Sequence, residues 1–419
     1  MTNYISFFID IGKLKSTRKK KWFAYEIKDS ESTASHSFRL AILSWILAKK
    51  ERLDMKKVLK MALIHDFCEI FAQNETSFEF LLPQKKKISK ISLKKKKQNA
   101  DEKFKREYQS FSKVILKLPP ELKKELRTLW LDFERGLSKE GKLVKQADKA
   151  ESLLQAFEYW KEQGKIQKAS WIRWARENFD IPIILEFIKA IEKRFFEKNI
   201  FEKILKRNEM DNIVEFLIEV GKLKKLKRRG WVLRRVKEPE VVASHSYRLA
   251  LVAWILGRQK ELNIEKILKM ALTHDLCEVY AGDETPYDEI LPKGEKELSD
   301  LMKTWPRFPV ATKRKKESRK LKREQDSLFK LIKRMPQSIK KEITNLWFDF
   351  REGVNHEGRF LRQLDKLENL LQAFEYRRED KNFPMGSWWM EAKERTDDSL
   401  LVKFIDDLAK EFSEVSKYE

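Results

Sequence analysis

The stretch "ASHSFRLAILSWIL" at residues 34–47 returns as "ASHSYRLALVAWIL" at 243–256. "LIHDFCEIFAQNETS" (63–77) likewise returns as "LTHDLCEVYAGDETP" (272–286), both pairs being displaced by 209 positions. Further along, "LWLDFERG" (129–136) pairs with "LWFDFREG" (346–353), and "QADKAESLLQAFEY" (146–159) with "QLDKLENLLQAFEY" (363–376), now displaced by 217. A duplication this long requires a fold that works as a unit and can be used twice. The 419 residues therefore predict two domains, 1–205 and 206–419, each with room for its own core. The eight additional residues of the second copy fall between the "LLP"/"ILP" at 81–83 and 290–292 and the "RE" that follows, as expected of a surface insertion. The junction "FEKILKRNEMDN" (201–212) has no Pro or Gly signal and reads as continuous helix.

Only 12 Gly and 11 Pro punctuate the chain, which argues against turn-rich β folds. Leu249, Val252, Ala253 and Leu256 recur at helical spacing. A second helix is expected from an N-cap at Asn263 to Gly282, and two more over "PQSIKKEITNLWFDFREG" and "GRFLRQLDKLENLLQAFEYRRED". The expected class is all-α, two tandem bundles of six or more helices. The longest apolar run, 40–48, is too short to cross a bilayer. The N-terminus does not read as a signal peptide. Cys68 and Cys277 occupy matching positions and read as small buried thiols, which suits a reducing, cytoplasmic setting.

The formal net charge is +24, of which about +18 falls in residues 1–210. Much of the excess lies in the lysine-rich stretch 84–107. It reads as a solvated insertion, since aromatic residues for base stacking are not interleaved in it. A nucleic-acid contact through the lysine-rich insertions is the weaker alternative.

Four of the five histidines form two equivalent pairs, His36 with His65 and His245 with His274. Each second histidine is followed by an aspartate, Asp66 or Asp275, and each unit carries a later aspartate, Asp148 or Asp365, within an apolar helix face. A carboxylate there is costly unless it is paired or binds a metal. Two imidazoles and two carboxylates suit a divalent ion such as Mn, Co, Fe, Ni, Zn or Mg, with positions left for water and a phosphate oxygen.

The ordered blocks "RRGWVLRRVKEPEVVASHSYRLAL", "ALTHDLCEVYAGDETP", "LWFDFREG" and "RQLDKLENLLQAFEY" resemble the HD-domain superfamily of metal-dependent phosphohydrolases, and within it the 5′-deoxynucleotidase branch. The resemblance implies His245, His274, Asp275 and Asp365 as metal ligands in the second unit, and His36, His65, Asp66 and Asp148 in the first. It implies Glu278 as a proton acceptor near the metal-bound water, with Glu69 as its counterpart, and Asp283 as an aid to leaving-group departure. Arg229, Arg234 or Arg235 would neutralise phosphate, and Trp231 (Trp22 in the first unit) would pack on the sugar. The implied substrate is a deoxynucleoside 5′-monophosphate. Because family members are commonly homodimers of one bundle, the fused pair is expected to pack as an intrachain pseudo-dimer, monomeric in solution or else part of a higher homo-oligomer.

The first copy reads Gln73-Asn74 where the second has Gly282-Asp283. An amide does not exchange a proton as a carboxyl does, so the first site is expected to hold metal and turn over slowly. Two other readings stand beside this one. The first is an HD-type nuclease or nucleoside triphosphohydrolase. The second is a nucleotide- or nucleic-acid-binding module whose catalysis has decayed in the first unit.

Overall fold

The computed structural model describes residues 1–71, 93–197, 207–285, 288–304 and 310–411. Gln73, Asn74 and the part of the lysine-rich stretch before residue 93 lie outside the described residues. Among those described, every regular element is helical, and the extended pairings are isolated bridges, Arg18 with Ser32 and Lys227 with Val241. The all-α expectation holds. No described helix is long and apolar enough to cross a membrane. Backbone contacts separate two compact units, Ser6–Ile218, and Glu219–Glu419 together with Met1–Ile5.

In the first unit, α1 (Thr33–Glu51) is followed by α2 (Met55–Ile64), α3 (Leu93–Val114), α4 (Pro120–Arg135), α5 (Lys139–Gln163), α6 (Lys168–Asn178) and α7 (Pro182–Phe196). The second unit repeats the order with α8 (Val242–Gly257), α9 (Ile264–Thr273), α10 (Val310–Ile332), α11 (Gln337–Glu352), α12 (His356–Glu379), α13 (Gly386–Arg395) and α14 (Ser399–Glu411). Helix α8 packs against α9 and α12, and α1 packs against α2 and α5. Both α1 and α8 are more deeply buried than a one-faced pattern suggests. Every residue from Val242 to Gly257 is buried, as is every residue from Thr33 to Ala48. A helix that is apolar all round belongs at the centre of a bundle, and its few polar side chains must find partners there.

The expected helix from Asn263 to Gly282 is broken in the middle. Asn263 caps α9 as anticipated, its side chain accepting from the Lys266 N–H at 3.0 Å. The helix stops at Thr273, because His274 Nδ1 donates to the Ala271 carbonyl at 2.8 Å. That oxygen is the acceptor a continuing helix would offer to residue 275. The chain then tightens into i→i+3 bonds, Leu276 N–H to Thr273 and Glu278 N–H to Asp275. A short helix, Glu278–Ala281, ends at Gly282 with φ +78°. His274 itself keeps helical dihedrals and its N–H still bonds the Met270 carbonyl at 2.9 Å, so the departure from the α-helix begins just after it.

Helix α12 starts from a cap at Asn355, which accepts from the Gly358 N–H at 2.8 Å. Gly358 is set there by crowding, since a Cβ on it would lie 2.1 Å from the Asp349 carbonyl oxygen. Gly358→Ala is therefore expected to lower stability by about 1–3 kcal/mol and to displace the helix that carries Asp365. A fall in the urea midpoint of the full chain measures it. Gly141 faces Asp132 in the same way in the first unit.

Candidate metal centre

In the second unit α8 supplies His245, the break after α9 supplies His274 and Asp275, and α12 supplies Asp365. The structure brings these four together. The two imidazole rings meet edge to face at 5.4 Å. His245 Nε2 lies 3.1 Å from Asp365 Oδ1, and His274 Nε2 lies 3.1 Å from Asp275 Oδ2. His245, His274 and Asp275 can each offer a ligand atom within 4.8 Å of the others. The first unit repeats the arrangement. His36 Nε2 is 2.9 Å from Asp148 Oδ1, His65 Nε2 is 2.9 Å from Asp66 Oδ2, and the rings are 5.4 Å apart.

The hydrogen-bond partners fix which nitrogen is free. His245 Nδ1 donates to the buried Glu368 carboxylate, and His274 Nδ1 to a backbone carbonyl. Each Nε2 is therefore the lone-pair nitrogen. Both Nε2 atoms are buried, and neither has a hydrogen-bond partner. A lone-pair nitrogen facing a carboxylate oxygen at 3.1 Å is repulsive unless a cation or a further proton lies between them. Without a cation the proton supplies the attraction. Burial and the Arg228 charge lower the pKa of His245, but Glu368 and Asp365 outweigh them and raise it to about 9. Burial likewise opposes ionisation of Asp275, yet His274 and Arg228 hold its carboxyl far below the usual range. The donor set, two imidazoles held through Nδ1 and two carboxylates, fits a divalent metal.

Glu368 had no place in the sequence reading. It accepts from His245 with one oxygen and from Arg248 Nε with the other at 2.7 Å, and Arg248 also binds Glu375 and Gln372. The first unit builds the same lattice from Glu151, Arg39, Glu158 and Gln155.

Glu278 sits one turn past Asp275, and its Oε2 is buried with no hydrogen-bond partner. Burial first, then the charges of Asp275 and Asp283, hold its carboxyl well above the ordinary glutamate value. Asp283 accepts from the Arg229 backbone N–H at 2.7 Å.

The arginine against the ligands is Arg228, which the sequence reading passed over. It donates to Asp275 and to Asn369, at 3.0 Å each, and its Nε is 3.7 Å from Asp283. The Arg229 side chain turns instead to Asp288. Arg234 lies over the Trp388 ring at 3.8 Å and donates to Ser387. Arg235 is exposed, on a left-handed turn. The two tryptophans expected against the sugar are both packed into the core. Trp231 is 2% exposed, stacks on Trp388 at 4.3 Å and donates to Glu240. Trp22 is fully buried and donates to Glu31. Both anchor the basic turn to the core, because a buried indole N–H needs an acceptor and the glutamate supplies it.

The sequence profile described as HD domain matches residues 11–176 and again 220–401. The 5′-deoxynucleotidase HDDC2 of Bos taurus is 33% identical over 165 residues, covering 39% of this chain and 68% of that protein. The Mus musculus protein of the same name is 34% identical over 164 residues, 39% of this chain and 69% of that one. The Dictyostelium discoideum protein, again of that name, is 33% identical over 177 residues, 41% of this chain and 80% of its own length.

Proposed function

The chain belongs to the HD domain family, and from that premise we propose that its second unit removes the 5′-phosphate from deoxynucleoside 5′-monophosphates with the help of a divalent cation. The supporting observation is the pair of buried His245 and His274 Nε2 atoms, partnerless and facing two carboxylates. It stands together with relatives whose names state this activity.

His245, His274, Asp275 and Asp365 would hold the ion. When bound, such an ion neutralises phosphate charge and makes water a better nucleophile at neutral pH. The remaining work falls to the protein. Arg228 keeps a fixed positive charge beside Asp275 and Asp283, where a phosphate oxygen can meet it. Glu278 has a free carboxylate oxygen and a raised pKa, which suits it to take the proton of the attacking water. Asp283, held in place by the Arg229 N–H, is positioned to serve the departing sugar oxygen.

A phosphate-release screen over nucleoside mono-, di- and triphosphates with a panel of divalent ions tests the reading. Orthophosphate from deoxynucleoside monophosphates is expected, lost with chelator and regained with metal. Triphosphate or oligonucleotide fragments as products would move the assignment to the triphosphohydrolase or nuclease class. In the same assay Asp283→Asn is expected to lower the rate of the full chain about 100-fold. Asn74→Asp should leave it unchanged.

A further inference from the structure

The two units hold the same four candidate ligands but surround the adjacent glutamate differently. In the second unit Glu278 keeps one oxygen without a hydrogen-bond partner. In the first, both oxygens of Glu69 are taken. Lys19 Nζ donates to Oε1 at 3.0 Å, and the Thr33 hydroxyl donates to Oε2. Lys19 also pairs with Asp66. The counterparts at these two positions are Arg228 and Val242. Arg228 spends its donors on Asp275 and Asn369 and stands near Asp283, so none is hydrogen-bonded to Glu278. Val242 has no hydroxyl to give.

Two further exchanges belong to the same locus. Where the second unit has Gly230 and Asn369, the first has Lys21 and Ser152, and Lys21 donates to Ser152. The guanidinium's partner Asn369 has gone, and an amine occupies its side of the site. Positions 19, 21, 33 and 152 thus differ together around a ligand set that does not differ. A carboxylate with an ammonium donating to one oxygen and a hydroxyl to the other is oriented by those two donors rather than by a water. It holds its place and is a poorer proton acceptor than Glu278, whose Oε2 has no such partner.

We propose that Lys19 and Thr33 are positioning residues that lock Glu69, so that the first unit holds a phosphate monoester at its metal centre without cleaving it. The proposal rests on the functional reading of the second unit and adds a cause of silence separate from Asn74. It concerns which residues must change for the first unit to turn over.

The test uses the full chain with His274→Ala to silence the second unit. Binding of inorganic phosphate in the presence of Mn²⁺ is measured by calorimetry, and phosphate release from deoxyadenosine 5′-monophosphate is measured alongside. The parent is expected to bind phosphate and to release it from the nucleotide at background rate. Adding Asn74→Asp alone should leave release at background. Adding Lys19→Arg, Thr33→Val and Asn74→Asp together should raise kcat about 100-fold or more, with KM and phosphate affinity within about twofold. Thr33→Val with Asn74→Asp, which keeps Lys19, should give an intermediate gain and guards against a triple variant that fails to fold. The proposal is overturned if Asn74→Asp alone matches the triple variant. It is equally overturned if neither combined variant gains activity while either still binds phosphate like the parent, or if the parent itself does not bind phosphate. Failure of the functional reading is seen separately, as absence of phosphate release by the unmodified chain.

Discussion

Glu278→Gln is expected to lower phosphate release by the full chain between about 10²- and 10⁴-fold, the range set by loss of a positioned proton acceptor. Metal affinity should change little, because Glu278 is not among the four converging ligands. The substitution keeps the shape of the side chain and removes only its ability to ionise. Glu278 is buried, and its environment disfavours the anion, first through burial and then through Asp275 and Asp283. Its pKa is therefore raised, and the base form accumulates only as pH climbs. The rate of the parent should rise with pH along a limb that reports this ionisation, and the limb should vanish in Glu278→Gln. The corresponding change at Glu69 should leave the rate of the full chain within about twofold, because that carboxylate is already tied to Lys19 and Thr33. A pH–rate profile for each variant, with metal content measured in parallel, decides the matter. Loss of metal from Glu278→Gln would instead make Glu278 a ligand.

What the sequence disclosed about this site follows from the kind of signal each residue leaves. Rare residue types in duplicate are conspicuous, so the histidines and their aspartates could be read directly. The helical class was readable for a similar reason, since apolar periodicity over long segments has few alternatives. The break after Thr273 was not readable, because it depends on a side chain competing for a backbone carbonyl, and the periodic pattern runs on past it. Arg228 was hidden among neighbours of the same charge in "KRRGWVLRR". Only the structure separates the arginine that faces the ligands from those facing Asp288, Trp388 and solvent. The direction of the Trp231 ring was not readable either, because position in a motif does not tell which way a ring points. Its partner Glu240, nine residues on, is a better clue to a buried indole.

The lattice behind His245 did leave a trace. Arg248 stands alone among apolar residues in "YRLALVAWIL", and Glu368, Gln372 and Glu375 recur at helical spacing along one stripe of a single helix. A single cation inside a helix buried on every side must be met by carboxylates from its neighbours. That argument would have predicted the pairing from composition and spacing. Lys19 and Thr33 lay beyond such reasoning. Lysine for arginine and threonine for valine look conservative, and their consequence appears only when the distances to Glu69 are known.

Glu368→Ala is expected to have the largest effect on stability of any single change near the site. Arg248 is fully buried, and Glu368 is one of the two carboxylates that neutralise it, the other being Glu375. Removing one partner of a buried pair leaves charge uncompensated and costs about 3–5 kcal/mol. The same deletion takes the acceptor from His245 Nδ1. With no acceptor there the ring is free to turn or change tautomer, and metal affinity should fall about 10- to 100-fold. Glu368→Gln separates the two effects. It preserves volume and one acceptor oxygen, so the stability loss should shrink to about 1–3 kcal/mol, while the tautomer of His245 is still less firmly set and metal affinity still drops. Glu151→Ala is the internal control. It should destabilise the first unit by a similar amount, since Arg39 and His36 lose the same support, and leave phosphate release per folded molecule within about twofold of the parent. Urea unfolding, metal titration and phosphate release on the three variants check this. A Glu368→Ala chain as stable as the parent would mean that Glu375 and Gln372 alone suffice for Arg248. An unchanged metal affinity would mean that the histidine needs no anchor behind it.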